Sequence, residues 1–243
     1  FLIGDTVCKM GGICKGSGMI HPTMATMLSF LTTDVSISSE MLNQALKLSV
    51  DETYNMVSVD GDTSTNDMVS ILANGLANNK EITEFGSDFE EFCKALRYVN
   101  TFLSRAIAKD GEGATKLLVC EVKNAKSLDD ARKVSKSIIC SSLFKAAMFG
   151  ADANWGRVLC AIGYSQASVD IDKVDVSFLS EEGKIDVCKN GYGIDFSESD
   201  AKLVLSQDEI KILVDLKSGE YSATAYGCDL TYDYVKINGD YRS

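Results

Sequence analysis

Apolar residues recur along this chain with two different periods, and the switches between them mark out its elements. From residue 1 to 29 the sequence is rich in Gly, Met and Thr, with Gly11-Gly12 and Gly16-Ser17-Gly18 as punctuation. That composition predicts extended strands joined by tight turns. A helical period begins after Ser38 and Ser39, either of which can cap a helix with Glu40 in its first turn. Met41, Leu42, Ala45, Leu46, Leu48 and Val50 form its apolar stripe, which runs on toward Tyr54 and ends near Ser58. A polar stretch at 60–67 precedes a short apolar run at 68–76 that fits either a strand or a buried helix.

The longest helical pattern covers residues 87–109, with Phe89, Phe92, Leu96, Val99, Phe102, Leu103 and Ile107 on one side and Gly111 and Gly113 closing it. Residues 115–122 read as a strand, 128–149 as one or two helices, and 155–164 as another helix. The remainder alternates like sheet, at 174–178, 184–187, 211–216 and 222–237. Strands and helices mixed without strict alternation predict an α+β fold, a layered sandwich of sheets and helices. Neither an internal repeat nor a low-complexity linker divides the chain.

Composition narrows the function classes. The chain has 243 residues, 45% hydrophobic and 24% charged, as expected for a globular protein with a sizeable core. Its 24 Lys and Arg against 35 Asp and Glu give a net charge of -11, which repels nucleic acid and anionic membrane surfaces. A small anionic substrate is not excluded, because a local Lys and a few backbone N–H groups hold a carboxylate whatever the global charge. No apolar run is long enough for a membrane helix and no basic leader opens the chain, so a cytosolic location is expected. The chain starts at Phe1 in the middle of an apolar segment, as a fragment or a processed product would. Eight cysteines occur without a C-x-x-C pair and with His21 as the single histidine, which removes the usual zinc spacings and predicts reduced core thiols.

Candidate chemistry concentrates in residues 15–28. The run from Lys15-Gly16-Ser17-Gly18 to Met24-Ala25-Thr26-Met27-Leu28 sets hydroxyls, glycines and one Lys into an otherwise apolar region. Hydroxyls in strands commonly just satisfy neighbouring backbone groups. The Gly-Ser-Gly after a Lys matches no phosphate-binding loop. Residues 60–67 hold three acids with Thr, Ser and Asn, yet their spacing fits no calcium loop. They read as a turn that organises backbone.

Taken together, several motifs resemble the ornithine acetyltransferases, also called glutamate N-acetyltransferases. They are Lys15-Gly16-Ser17-Gly18-Met19-Ile20 with Met24-Ala25-Thr26-Met27-Leu28, Val59-Asp60-Gly61-Asp62-Thr63-Ser64-Thr65-Asn66-Asp67, Gly111-Glu112-Gly113-Ala114-Thr115-Lys116, Asn154-Trp155-Gly156-Arg157, and the closing stretch from Tyr226 to Ser243. The resemblance spans essentially the whole chain. It implies the layered sandwich shared with self-cleaving aminopeptidases. It also implies self-cleavage between Ala25 and Thr26, which would divide the sequence into the end of an alpha chain, 1–25, and a beta chain, 26–243, with Thr26 at its N-terminus.

The implied reaction is arginine-biosynthetic acetyl exchange. Thr26 takes the acetyl group of N-acetylornithine, ornithine leaves, and glutamate accepts the acetyl. A free α-amine with a reference pKa of about 7.7–8.0 supplies the base that a Thr hydroxyl needs, so no catalytic histidine is required. The resemblance carries substrate binding to Lys15, Thr26, Glu112, Asn238 and Ser243. It implies no metal and no cofactor, although some members take acetyl-CoA as co-substrate. It places the oxyanion donors in an N-terminal alpha portion absent from this sequence, and so implies a hetero-oligomer of alpha and beta chains. Two alternatives stand beside it: a self-processing aminopeptidase-like hydrolase, which in that group uses Ser as nucleophile, and an inactive precursor or fragment that needs a partner chain.

Overall fold

A computed structural model of the chain describes residues 1–21 and 27–241. The first strands, β1 (Leu2–Ile3) and β2 (Thr6–Val7), pair as a small antiparallel hairpin. They lead into β3 (Met10–Lys15) and β4 (Leu28–Thr33). Next come α1 (Ser39–Glu52), β5 (Val57–Ser58), β6 (Met68–Ala73) and the long α2 (Ser87–Lys109). The second half runs β7 (Leu117–Ala125), α3 (Leu128–Cys140), α4 (Ser142–Phe149), α5 (Trp155–Gly163), β8 (Asp175–Ser180), β9 (Gly183–Lys189) and β10 (Tyr192–Gly193). It closes with α6 (Glu198–Leu205), β11 (Glu209–Asp215), β12 (Tyr221–Cys228) and α7 (Tyr232–Asp240). No helix among the described residues is long and apolar enough to cross a membrane.

Two larger sheets organise the layers. The seven-stranded one has the order β10-β9-β8-β11-β7-β12-β5, and the three-stranded one β3-β4-β6. Period-two alternation decides which face of the large sheet each side chain meets. Leu118, Cys120 and Val122 of β7, Ile210, Ile212 and Val214 of β11, and Val176 and Phe178 of β8 share one core with α3 to α6. On the opposite face Leu117 and Val119 meet Leu103 and Ile107 of α2. Helix α2 also packs on α1 and β3, so it lies between the two sheets. The result is the expected α+β sandwich.

Helix starts follow local chemistry. Among the described residues every helix but α2 opens on a Ser, Thr or Asn side chain that accepts the N–H three residues on. Ser141 divides 128–149 into two helices by serving as such a cap, its Oγ accepting from Phe144 N at 3.3 Å. Helix α1 stops at Glu52 rather than near Ser58: Thr53 Oγ1 donates back to Ser49 O at 2.6 Å and a single 3₁₀ turn at Tyr54–Met56 redirects the chain. Of the run 68–76, residues Met68–Ala73 form a strand, β6, and the rest lies in the turn after it. The expectation of sheet from 222 to 237 holds only to Cys228, because Thr231 caps α7 over residues whose apolar alternation is incidental. Helix α6, capped by Ser197, was not foreseen.

Candidate functional site

The loop after β5 is held from below by two buried amines. Lys136 of α3 donates to Val57 O at 2.8 Å, and Lys145 of α4 donates to Val59 O. Burial pushes the Lys136 ammonium down to about 8. Both carbonyls therefore have partners in a place water does not reach, and the loop starts from a fixed base.

Residues 16–21 are pinned onto this base almost atom by atom. Val59 N donates to Ile20 O at 2.7 Å, and the fully buried Ile20 side chain anchors the segment in the core. The Asp60 carboxylate accepts from Met19 N at 2.8 Å, from Ile20 N at 3.1 Å and from the Tyr234 hydroxyl of α7 at 3.3 Å. Burial, and secondarily the adjacent Asp60 charge, push the Tyr234 phenol up to about 12. Thr63 Oγ1 donates to His21 O at 2.9 Å. His21 Nδ1 lies 3.1 Å from Ser58 Oγ and 3.5 Å from Cys140 Sγ. Burial, followed by the charge of Lys136, pushes this imidazole down to about 4, so it is neutral at ordinary pH.

The other side of the candidate cleavage site is gripped by the far end of the same loop. Asp67 Oδ1 accepts from Met27 N, and Met68 N donates to Met27 O at 2.7 Å. Burial raises the Asp67 carboxyl to about 6, and its Oδ2 is shielded with no hydrogen-bond partner among the described residues. The stretch 60–67 is thus a backbone organiser, as its composition suggested. It binds both flanks of residues 22–26.

Gly111-Glu112-Gly113 presses on this segment from α2. Glu112 N donates to Ser17 O at 2.9 Å. The Glu112 carboxylate lies so close over Gly18 that a Cβ there would sit 2.4 Å from its carboxyl carbon. A side chain at position 18 would displace the Glu112 carboxylate from this place. Asn238 Nδ2 donates to Glu112 Oε2 at 3.0 Å and to Tyr234 O at 3.0 Å, so the last helix supplies a second wall. Gly113 adopts φ +67°, and a Cβ there would lie 2.6 Å from Tyr234 N.

Of the residues singled out in the sequence, Glu112 and Asn238 are in direct contact. Lys15, exposed at the end of β3, leads into the segment under Glu112 but forms no ion pair with it. Ala25, Thr26 and Ser243 lie outside the described residues. The sequence reading missed Asp60, Asp67, Tyr234 and the two buried lysines as individual contributors. A signal existed for Lys145, a lone charge within Leu143-Phe144-Lys145-Ala146-Ala147-Met148. Trp155 and Arg157 belong to the packed start of α5: Asn154 caps it and Arg157 donates to Leu143 O at 2.7 Å. All eight cysteines are free thiols; Cys8, Cys120, Cys188 and Cys228 are buried, whereas Cys160, expected in the core, is exposed.

Fold and site together define a layered α+β protein in which the loop after β5 holds residues 19–21 on one side of the candidate cleavage segment and Met27 on the other. The chain belongs to the ArgJ family, whose model matches residues 1–243. It is 57% identical over 238 residues to the arginine biosynthesis bifunctional protein ArgJ 1 of Clostridium acetobutylicum, covering 98% of this chain and 58% of that protein. It is 58% identical over 234 residues to ArgJ of Caldanaerobacter subterraneus subsp. tengcongensis, covering 96% of this chain and 58% of that one. This chain therefore spans less than two thirds of those relatives' length. The crystal structure of arginine biosynthesis bifunctional protein argJ from Bacillus halodurans superposes with a TM-score of 0.84 at 46% identity, covering 89% of this chain and 100% of that chain.

Proposed function

We propose that this chain carries the nucleophile and much of the substrate site of a self-processing acetyltransferase that moves the acetyl group of N-acetylornithine to glutamate. The observation that carries the reading is the clamp on residues 22–26, with Asp60 and Thr63 on one flank and Asp67 on the other. Flanks fixed in place shorten the search for the geometry in which a hydroxyl attacks a neighbouring carbonyl.

In the first reaction the Thr26 hydroxyl attacks the Ala25 carbonyl, the C–N bond breaks, and the hydroxyl proton ends on the departing nitrogen. Water then hydrolyses the ester, leaving a carboxylate on Ala25 and restoring the hydroxyl beside a free α-amine. In the second, that amine takes the hydroxyl proton as Thr26 attacks the acetyl carbonyl of N-acetylornithine, and ornithine leaves carrying a proton. Glutamate attacks the acetyl-Thr26 ester through its amine and regenerates the enzyme. Glu112, steadied by Asn238, holds the substrate ammonium, and Lys15 holds a carboxylate. The family resemblance adds Ser243 to the substrate contacts. No bound cofactor enters this chemistry.

Both steps pass through an oxyanion that needs fixed donors, and these come from the further portion of the family's chain. An open face supports such a partner: Ile13, Phe30, Met68 and Leu72 point outward from the three-stranded sheet at 71%, 44%, 43% and 69% exposure. Thr26→Ala in the full-length protein tests the function. We expect one uncut species by intact mass and no ornithine release from N-acetylornithine; release at the unsubstituted rate would sink the assignment.

A further inference from the structure

We infer that Asp67 is a positioning residue of this enzyme, holding the Met27 N–H and through it the nucleophile, in the precursor and again in the mature protein. The inference rests on the self-processing reading above and adds to it a residue and a division of labour within the loop.

The argument starts from covalent connectivity. The Met27 nitrogen is bonded to the carbonyl carbon of Thr26, so the Thr26 hydroxyl is four bonds from the atom that Asp67 grips. Met27 is anchored twice more, by its carbonyl to Met68 N at 2.7 Å and by a side chain only 2% exposed. A carboxylate acceptor makes the bond to Met27 N charge-assisted. Shielding of its second oxygen from water leaves that N–H as the carboxylate's one hydrogen-bond partner among the described residues. Low local dielectric strengthens such a bond.

The loop holds the two flanks with different residues, and this matters once the chain is cut. Asp60 and Thr63 bind Met19, Ile20 and His21, which belong to the upstream product. Asp67 binds Met27, which belongs to the product that begins at Thr26. After cleavage the bond through residues 22–25 no longer restrains Thr26, and of these loop side chains only Asp67 still holds its side. Asp67 should therefore influence both self-cleavage and acetyl transfer. Because it acts through backbone and touches no substrate, the effect on transfer belongs in kcat and not in KM.

The experiment compares Asp67→Ala and Asp67→Asn with the unsubstituted full-length protein, following the species that begins at Thr26 by intact mass and ornithine release by steady-state kinetics. Asparagine keeps an acceptor oxygen at the same reach, whereas alanine removes it. For Asp67→Ala we expect cleavage and kcat each to fall by about tenfold or more, the scale of small misplacements of reacting groups, with KM unchanged. Asp67→Asn should restore most of both rates. Unchanged cleavage and kcat in Asp67→Ala would overturn the role, as would a change in KM alone. An unsubstituted protein that never yields a species starting at Thr26 would instead remove the self-processing reading, and this role with it. Should the alanine variant not fold, hydrogen exchange at the Met27 amide of the unsubstituted protein decides the matter. Slow exchange supports the bond, and exchange as fast as an open amide overturns it.

Discussion

His21 and Asp67 stand on the two flanks of one short segment, and burial moves their proton affinities in opposite directions. The imidazole falls from 6.5 to about 4, and the carboxyl rises from 3.8 to about 6. For His21 the unfolded chain binds more protons between pH 6.5 and 4. Its contribution to stability is thus complete above 6.5 and lost as pH falls through about 4. For Asp67 the folded chain binds more protons between 3.8 and about 6, so its contribution is complete below 3.8 and lost as pH rises through about 6. The two partly cancel in the unsubstituted protein. Thermal melts of His21→Asn between pH 4 and 7 should show a shallower fall of Tm on acidification than the unsubstituted chain; an unaltered slope would mean that His21 titrates normally. Glu112 and Asn238 were legible only through the family resemblance, which marked both. Asp67 could not be read that way. Which of three acids in a polar stretch accepts which backbone N–H depends on a contact 40 residues away in sequence, which no local pattern encodes.

At the scale of elements, Asp229 shows how one side chain ends a strand and starts a site wall. It is 3% exposed and follows β12 directly. Its carboxylate accepts from Thr115 N at 2.8 Å, Lys116 N at 2.9 Å and Thr115 Oγ1 at 2.5 Å, tying the start of β7 to the turn before α7. Asp229→Ala removes one buried carboxylate that three donors share, two of them on the exposed Thr115, and urea unfolding should register a loss of about 2 kcal/mol. A loss below about 0.5 kcal/mol, the scale of an ordinary surface change, would show that water replaces it. The same tie explains where the sequence reading of 222–237 went astray. Tyr232, Tyr234, Val235 and Ile237 suit a strand by intrinsic preference, yet the Asp229 and Thr231 side chains turn the backbone and cap a helix. The longest amphipathic run, Ser87–Lys109, needed no such correction, although Phe102, placed on its apolar side, is 66% exposed. Many turns of consistent period outweigh any single cap, whereas a nine-residue helix is decided by its ends.

The whole molecule presents two open sheet faces of opposite character. Where α2 does not cover the seven-stranded sheet, Glu121 pairs with Lys123 and Lys211, Lys184 with Asp186, and Asp175 with Lys217. That is how a sheet face meets water. The three-stranded sheet instead offers Ile13, Phe30, Met68 and Leu72 on one side, with Thr32 and Ser70 between them. A patch of this kind marks an interaction surface. We expect the chain expressed alone to self-associate with rising concentration in sedimentation, and Ile13→Lys with Leu72→Lys to suppress it. A monodisperse unsubstituted monomer would show that this face needs no cover. A layered α+β fold was legible from the mixture of periods, but which face lay bare was not, because alternation tells inside from outside only after the neighbouring layer is known.

Trp155 is the single tryptophan, and it stands at the edge of the large sheet farthest in strand order from β5. Its indole packs against Gly193 of β10 so closely that a Cβ there would lie 2.4 Å from the ring. Intrinsic emission is therefore a reporter with a fixed address. It follows the seating of the β10 edge on α5 during unfolding. Cutting of the chain has to be watched by mass, and light can be left to watch the fold.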